Sequence, residues 1–324
     1  MGYPVQCGEF LPDVKEMYTM FPKSTDLEEL FVLEDSDVAG AIDSIDLVSP
    51  KGRSYRCSFS GKTLDRRSFD KSLAKLAVEA GAELRTKVSF HSIREGVAKT
   101  SFGDIRARVI VGADGPNSRT ARQAGLENPT KRYPAVTCQA EGDFGQTVRM
   151  FFGNVAPGGY AWVIPKRRGA NIGAGFNPRL LRERPSDCFR RFLSKVGAVP
   201  KDVTMGFVPV SGPVERSVTG NVLLVGDAAG QVMPTNGGGI PLAMMAGRMA
   251  GRAIRDHVRK GNPLAEYEVQ WKAEMGRPLA NSLWTRVLGD LFFPTDRRTE
   301  FAMRVLGERG LARAIRCKKV FYVM

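Results

Sequence analysis

The segment NVLLVGDAAGQVMPTNGGGIP, residues 221–241, carries the pattern that decides the fold. It begins with a short apolar run that ends abruptly in the glycine turn GDAAG at 226–230, which is typical of a buried parallel strand. Three glycines at 237–239 then precede Pro241, and proline is favoured in the first turn of a helix. The segment therefore predicts a strand, a glycine turn and a helix that runs to about Arg259.

This arrangement of strand, turn and helix is suited to binding a ligand. In open parallel sheets, ligands bind beyond the carboxyl ends of the strands, where glycine turns let the backbone approach phosphate closely. Gly226 permits the turn, and Asp227 places a carboxylate where it can accept hydrogen bonds from ribityl or ribose hydroxyls. Gly239 and Ile240 lead into the helix, whose first N–H groups and dipole attract anionic groups.

A second turn of the same kind lies upstream, in RVIVGADGPNSR at 108–119. Its apolar run again predicts a buried strand, and Gly112, Asp114 and Gly115 follow directly. Either turn alone is an ordinary connection between a strand and a loop. Since both occur in one chain, we predict a nucleotide site of the flavin type at this edge of the sheet.

The rest of the chain predicts an α/β protein in which one unit is interrupted by another. Alternating and aromatic segments between 131 and 212 indicate a mostly antiparallel sheet with a short helix near 186–196. A hairpin is expected over 41–64, and a strand over ELRTKVSF at 83–90. We assign 1–35, 60–130 and 213–258 to the interrupted nucleotide-binding unit, 36–59 and 131–212 to the antiparallel unit, and 259–324 to a C-terminal helical segment.

Composition excludes several classes of function. The 324 residues include five scattered cysteines and two histidines, which argues against zinc, iron–sulfur and Ser-His-Asp sites, and we expect no metal. We expect a cytoplasmic protein, since no secretory signal or spanning apolar run is found and an odd cysteine count fits a reducing compartment. The net charge of +14 favours anionic partners, and without a nucleic-acid motif an anionic membrane surface and a plain solvated surface stay open.

The motifs occur in an order that resembles the geranylgeranyl reductase family of FAD proteins, whose fold is that of p-hydroxybenzoate hydroxylase. The stretches that carry the resemblance are PVQCGEFLP at 4–12, DRRSFD at 65–70, GADGPNSR at 112–119, PGGYAWVIP at 157–165 and GDAAGQVMPTNGGGI at 226–240. The resemblance covers nearly the whole chain. It implies an FAD-binding domain interrupted by an antiparallel substrate domain.

The resemblance also implies roles for individual residues. Tyr160, Trp162 and Pro165 would line the substrate cavity, and Cys7 is a candidate proton donor beside the flavin. A guanidinium at Arg66 suits the pyrophosphate because it can bind two oxygens at once. Together with the residues of the two glycine turns, the expected FAD contacts are Cys7, Gly8, Arg66, Val88, Gly112, Asp114, Gly115, Gly226, Asp227, Gly239 and Ile240.

One expected part does not occur in this sequence. A dinucleotide-binding domain opens with a strand, GxGxxG and a helix, whereas Met1 falls just before PVQCGEF, so the adenosine half of the site is not formed by these residues. We expect a gene model that starts too late, with a shortened protein as the alternative.

By resemblance, the predicted function is reduction of carbon–carbon double bonds in isoprenoid chains, on archaeal-type glycerophospholipids. Two alternatives stay open: a flavin monooxygenase or halogenase of the same fold, and a truncated, non-catalytic lipid-binding protein. The electron donor is a nicotinamide, a deazaflavin or a ferredoxin, and the sequence does not choose among them.

Overall fold

A computed structural model describes residues 4–320 as an α/β protein with one large sheet and two small ones. Its strands are β1 (Phe10–Pro12), β2 (Val38–Val48), β3 (Ser54–Leu64), β4 (Phe90–Arg94), β5 (Val97–Thr100), β6 (Gly103–Arg106), β7 (Ile110–Gly112), β8 (Arg132–Ala140), β9 (Val148–Phe151), β10 (Tyr160–Lys166), β11 (Gly169–Gly175), β12 (Pro200–Pro209), β13 (Val218–Thr219) and β14 (Val222–Leu224). The α-helices are α1 (Val14–Met20), α2 (Leu27–Leu30), α3 (Arg66–Glu79), α4 (Arg119–Gln123), α5 (Pro185–Val196), α6 (Ile240–Lys260), α7 (Ala265–Trp271), α8 (Arg277–Phe292) and α9 (Asp296–Ile315).

The large sheet has eight strands in the order β1-β3-β2-β9-β10-β11-β8-β12. Every neighbouring pair is antiparallel except β2 and β9, which run parallel, so the mostly antiparallel sheet is confirmed. The predicted hairpin is β2 and β3. Both segments assigned to the antiparallel unit contribute strands, while the division of the chain into domains stays a prediction.

Each face of the large sheet packs against different elements. Helix α5, within two residues of its predicted bounds, covers one face, where Phe189 and Phe192 pack with Val163 and Ile172. Since successive side chains of a strand point to opposite faces, Trp162 belongs to the other face, and it joins the core that includes helix α6. The large sheet therefore separates α5 from the rest of the core.

The two glycine turns belong to one small sheet. Strands β7 and β14 pair in parallel, with Leu224 opposite Gly112, so both strands end at the same edge. Gly226 opens a short 3-10 helix, Gly226–Ala229, and α6 begins at Ile240. The predicted order of strand, turn and helix is confirmed.

The expected strand at 83–90 is largely wrong. Residues 82–89 form neither helix nor strand, and β4 begins only at Phe90, in a separate three-stranded antiparallel sheet. A strand needs a neighbour to hydrogen-bond with, and within residues 4–320 no strand pairs with 83–88, whereas Ser89 and Phe90 bond to the chain next to β5. Helix α3 begins after Asp65, whose side chain accepts from the Arg67 and Ser68 N–H groups, and its Leu73 and Leu76 are exposed.

The close approach of β10 and β11 depends on a glycine. A β-carbon at Gly173 would lie 2.2 Å from Cζ2 of Trp162 and 2.7 Å from the Val136 carbonyl oxygen. The indole cannot easily move away, since it is buried and its Nε1 donates to the Asn171 side chain at 2.7 Å.

We expect Gly173→Ala to lower the free energy of unfolding by about 2 kcal/mol, because the added methyl overpacks the sheet. Gly175→Ala, on the same strand and with no atom within 4 Å of the added carbon, is the control and should stay near the parent protein. Urea denaturation measures both. Equal midpoints for the two variants would contradict the packing described here.

Candidate functional site

The loop that carries Cys7 and Gly8 lies directly against strand β10. A β-carbon at Gly8 would be 3.1 Å from Cδ1 of Ile164 and 3.7 Å from Nε1 of Trp162, so the chain needs a small residue there. The Glu9 N–H donates to the Cys7 sulfur at 3.2 Å, and the Asn171 side chain donates to the Cys7 carbonyl at 2.8 Å. The structure therefore brings Cys7, Gly8 and Trp162 together.

A buried carboxylate, Glu9, fastens this loop to the large sheet. Oε2 of Glu9 accepts from Lys166 Nζ at 2.6 Å, from Gln139 Nε2 at 2.8 Å and from Asn171 Nδ2 at 2.9 Å. Oε1 accepts from the Arg66 backbone N–H at 3.3 Å, and Asn171 in turn accepts from Trp162. These partners offset the free-energy cost of burying the carboxylate.

Sequence reasoning missed this network. Glu9 lies two residues from Cys7, but its side-chain partners lie 130 or more residues further on, in strands β8, β10 and β11. In the sequence, polar residues that point into the protein from those strands cannot be distinguished from polar residues on the solvent-facing side of a strand. The left-handed backbone of Glu9, with φ of 63°, also leaves no mark in the sequence.

Arg66 begins helix α3 and faces the Cys7 loop. Its Nε and Nη2 pair with both carboxylate oxygens of Asp70, at 2.8 and 3.1 Å, so one edge of the guanidinium is already used. Arg66, Asp70 and Cys7 line a cavity of about 230 Å³, together with residues 4–6. The remaining N–H groups of Arg66 are the ones that can meet an anion in this cavity.

At the glycine turns, a carboxylate without a partner lies beside a helix N-terminus. The Asp227 side chain makes no hydrogen bond within residues 4–320, and a β-carbon at Gly239 would lie 3.1 Å from its Oδ1. Helix α6 has no side-chain cap, so the first N–H groups stay available. Gly226 is in the left-handed region, with φ of 61°. This combination fits a ligand that carries both hydroxyls and anionic groups.

Electrostatics link four segments of the chain in this region. Burial raises the pKa of Asp227 to about 6, against the opposing charge of Arg66. Burial also raises the pKa of Cys7, again opposed by Arg66, and raises that of Tyr160, with a smaller contribution from Cys7. These charge effects place the four side chains, all of them partly buried, in one region, although they come from four separate parts of the sequence.

The predicted substrate residues divide between the two faces of β10. Tyr160 and Trp162 lie on the site face, with ring centroids 5.7 Å apart, and the Tyr160 hydroxyl donates to the Asn236 carbonyl beside the triple glycine. Pro165 is an odd number of residues from both, so it points to the opposite face, by the alternation of a strand. The structure thus places two of the three together.

The GADG turn uses its polar groups internally. Asp114 accepts from the Ser118 hydroxyl at 2.5 Å and from the Thr120 N–H at 2.9 Å. Burial acts to raise the pKa of Asp114, but these hydrogen bonds hold it below its usual value. Gly112 packs tightly against Leu224 and Thr120, and Gly115 has a φ of 80°. These contacts stabilise the turn and the start of α4, and the cofactor contacts expected here stay a prediction.

Val88 is an expected contact that lies outside the helices and strands. It is partly buried and lies in the irregular segment before β4. Its contact with a cofactor stays a prediction.

We expect Glu9→Ala to lower the free energy of unfolding by about 3 kcal/mol, since it leaves the partly buried Lys166 ammonium without its carboxylate. Lys201→Ala, which removes an ion pair with Glu141 at the surface, should cost under about 1 kcal/mol. Urea denaturation near neutral pH compares the two. A Glu9→Ala protein as stable as the parent would show that the network does not hold the loop.

The raised pKa of Asp227 predicts that the free energy of unfolding decreases as pH rises. Its folded pKa of about 6 exceeds the ordinary 3.8, so the folded state binds more protons and loses stability as pH rises from about 4 to about 6. Asp227→Asn should remove up to about 3 kcal/mol of that loss. Thermal unfolding at pH 4 and pH 8 should show the variant gaining stability mainly at pH 8, and an equal change at both would contradict the assignment.

Comparison with known sequences places the chain among reductases. The model of the geranylgeranyl reductase catalytic domain matches residues 129–208. Digeranylgeranylglycerophospholipid reductase 2 of Methanothermobacter thermautotrophicus is 35% identical over 317 residues, covering 90% of this chain and 79% of the relative. The digeranylgeranylglycerophospholipid reductase of Methanocaldococcus jannaschii is 32% identical over 302 residues, covering 84% and 73%.

Solved structures share the fold. A geranylgeranyl bacteriochlorophyll reductase-like protein from Thermoplasma acidophilum superposes with a TM-score of 0.82 at 24% identity, covering 93% of this chain and 81% of that one. A probable FAD-dependent monooxygenase from Pseudomonas aeruginosa gives 0.67 at 16% identity, covering 93% and 90%. At these identities the likeness concerns the fold alone, and it confirms the predicted fold class. The sequence identities decide the family: this chain belongs to the geranylgeranyl reductases, a family of oxidoreductases.

Proposed function

We propose that this protein is an FAD-dependent reductase that saturates carbon–carbon double bonds in the isoprenoid chains of archaeal-type glycerophospholipids. The observation that carries the proposal is the convergence of Cys7, Arg66, Tyr160 and Asp227: Cys7 and Arg66 line one cavity, Tyr160 bonds to Asn236 beside the triple glycine, and the charge of Arg66 acts on Asp227. The names of the relatives supply the substrate class.

The residues present fit FAD. The Asp227 carboxylate, which has no hydrogen-bond partner among residues 4–320, suits hydroxyls, the first N–H groups of α6 suit electron-rich atoms, and Arg66 suits pyrophosphate. A β-carbon at Gly239 would lie only 3.1 Å from the Asp227 carboxylate and would push it aside, so glycine leaves this wall of the site as bare backbone. When bound, FAD supplies the hydride, and the protein supplies orientation and exclusion of water.

Cys7 is the proposed proton donor to the second carbon of the double bond. Burial raises the pKa of Cys7, so the thiol keeps its proton near neutral pH. The Arg66 guanidinium opposes that shift through charge and a hydrogen bond, and it would stabilise the thiolate left after the proton is given up. Tyr160 and Trp162 offer an apolar wall on the same side of β10.

The remaining partners are also part of the proposal. The electron donor in this proposal is a nicotinamide, a deazaflavin or a ferredoxin. No helix within residues 4–320 is long and apolar enough to span a membrane. We propose a cytoplasmic location with attachment to the membrane surface, which the net charge of +14 and the lipid substrate support.

The test uses the purified protein with FAD, dithionite as reductant and a detergent-dispersed digeranylgeranyl glycerophospholipid under anaerobic conditions. Mass spectrometry should show two added hydrogens for each double bond reduced. We expect Cys7→Ala to keep its flavin absorbance while kcat falls about a hundredfold, since a general acid contributes at least that much.

Cys188→Ala is the matched control, because that buried cysteine lies on α5, on the far side of the large sheet, and kcat should be unchanged. Unchanged lipid mass with the parent protein would refute the reductase. Product formation that consumes oxygen stoichiometrically would identify a monooxygenase instead.

A further inference from the structure

Helices α8 and α9 present an apolar surface away from the body of the protein. Trp284, Val287 and Leu291 share one side of α8, by their spacing, and Phe301 and Val305 share one side of α9. All five are 48–63% exposed, whereas Ser282 and Arg286 on the opposite side of α8 are buried, as are Thr299 and Met303 on α9. We call Trp284, Val287, Leu291, Phe301 and Val305 the outer face.

Helices α8 and α9 follow one another as a helical hairpin, which is called the hairpin below. Its negative and positive side chains lie on different sides. Three carboxylates turn toward the protein: Asp290 pairs with Arg286 at 2.8 Å, Asp296 accepts from the Asn154 N–H at 2.8 Å, and Glu300 accepts from the Lys51 N–H at 3.1 Å. Arg297, Arg298 and Arg304 are exposed and form no ion pair within residues 4–320. Glu308 is the exposed carboxylate of α9. The charge beside the outer face is therefore mainly positive.

The hairpin also connects to the candidate site. Phe293, where α8 meets α9, stacks on Phe152 with ring centroids 6.1 Å apart, and Phe152 lies 6.0 Å from Tyr160. A row of aromatic rings thus leads from the proposed substrate wall to the end of α8. The Asn236 side chain, beside the triple glycine, donates to the Ile315 carbonyl at the end of α9.

Another exposed apolar patch lacks this charge. Val203, Met205 and Phe207 are exposed on β12, at the edge of the large sheet. Nearby cations are neutralised, since Lys201 pairs with Glu141 at 2.5 Å and Arg67 pairs with Asp202 at 2.7 Å. Of these two apolar surfaces, only that of α8 and α9 is flanked by arginines that form no ion pair within the described residues.

We propose that the outer face binds the surface of an anionic phospholipid bilayer. The apolar side chains enter the boundary of the acyl chains, and Arg297, Arg298 and Arg304 pair with the lipid phosphates. The attachment places the aromatic row next to a membrane that holds the proposed substrate. The role of this membrane attachment rests on the proposed function, while the binding to the membrane can be measured without catalysis.

The protein carries its own probe for this binding. Trp162 and Trp271 are buried, and Trp284 is the exposed indole on the outer face. With vesicles of phosphatidylglycerol and phosphatidylcholine, we expect the tryptophan emission to shift to shorter wavelength and the protein to sediment with the lipid. With phosphatidylcholine alone, both signals should be weak. Equal binding to both vesicles, or none to the anionic ones, would overturn the proposal.

Variants locate the surface. Exchange of Arg297, Arg298 and Arg304 for Gln should weaken binding to the anionic vesicles about a hundredfold, at about 1 kcal/mol per cation. Leu291→Glu with Phe301→Glu should abolish the emission shift. Met205→Glu with Phe207→Glu is the matched control on the β12 patch and should bind like the parent protein. Loss of binding in the control, or retention in the hairpin variants, would overturn the proposal.

The detergent-based assay separates this proposal from the proposed function. The hairpin variants should reduce detergent-dispersed lipid at the parental rate but lose activity on substrate held in anionic vesicles. Their circular dichroism and thermal midpoints should match the parent, since the changed side chains are exposed. If the parent binds vesicles but reduces no lipid, the docking surface stands and the reductase fails. A hairpin variant that keeps full activity on vesicle-held substrate would overturn the docking proposal.

Discussion

The buried carboxylate of Glu9 is the interaction on which the site depends. The loop of Cys7 has no regular secondary structure, so its position has to come from side-chain contacts. Glu9 provides them by accepting hydrogen bonds from three strands of the large sheet, while its own N–H donates to the Cys7 sulfur. Its backbone carbonyl also accepts from the Leu64 N–H, just before Arg66. One residue thereby positions the Cys7 thiol and the Arg66 guanidinium relative to the large sheet.

In the same region, the Asp227 side chain is suited to binding a ligand but lowers the stability of the folded protein. Asp227 is partly buried and makes no hydrogen bond within residues 4–320, and its pKa is raised to about 6, which costs stability near neutral pH. Arg66 reduces that cost from a distance, but Asp70 already occupies one edge of its guanidinium. Groups left partly unsatisfied in this way are poised to gain from a ligand with hydroxyls and anionic oxygens. Perturbed pKa values of this kind are concentrated at functional sites.

Local patterns were enough for part of this fold. An apolar run, a glycine turn and a helix with an early proline predicted β14, its turn and α6, because each depends on residues within about ten positions of one another. The hairpin of β2 and β3 and helix α5 were predicted for the same reason. The prediction of a strand at 83–90 was largely wrong, since a strand needs a partner and apolar alternation alone does not reveal whether one is near.

By itself, then, the sequence determined the glycine turns, the family resemblance and the candidate residues, all of which are properties of short segments read in order. Only the tertiary structure decided that Lys166, Gln139 and Asn171 converge on Glu9. It also decided which apolar residues stay outside, as on α8 and α9. The reason is physical: burial, pairing and charge compensation depend on which distant segments meet, and spacing along the chain does not contain that information.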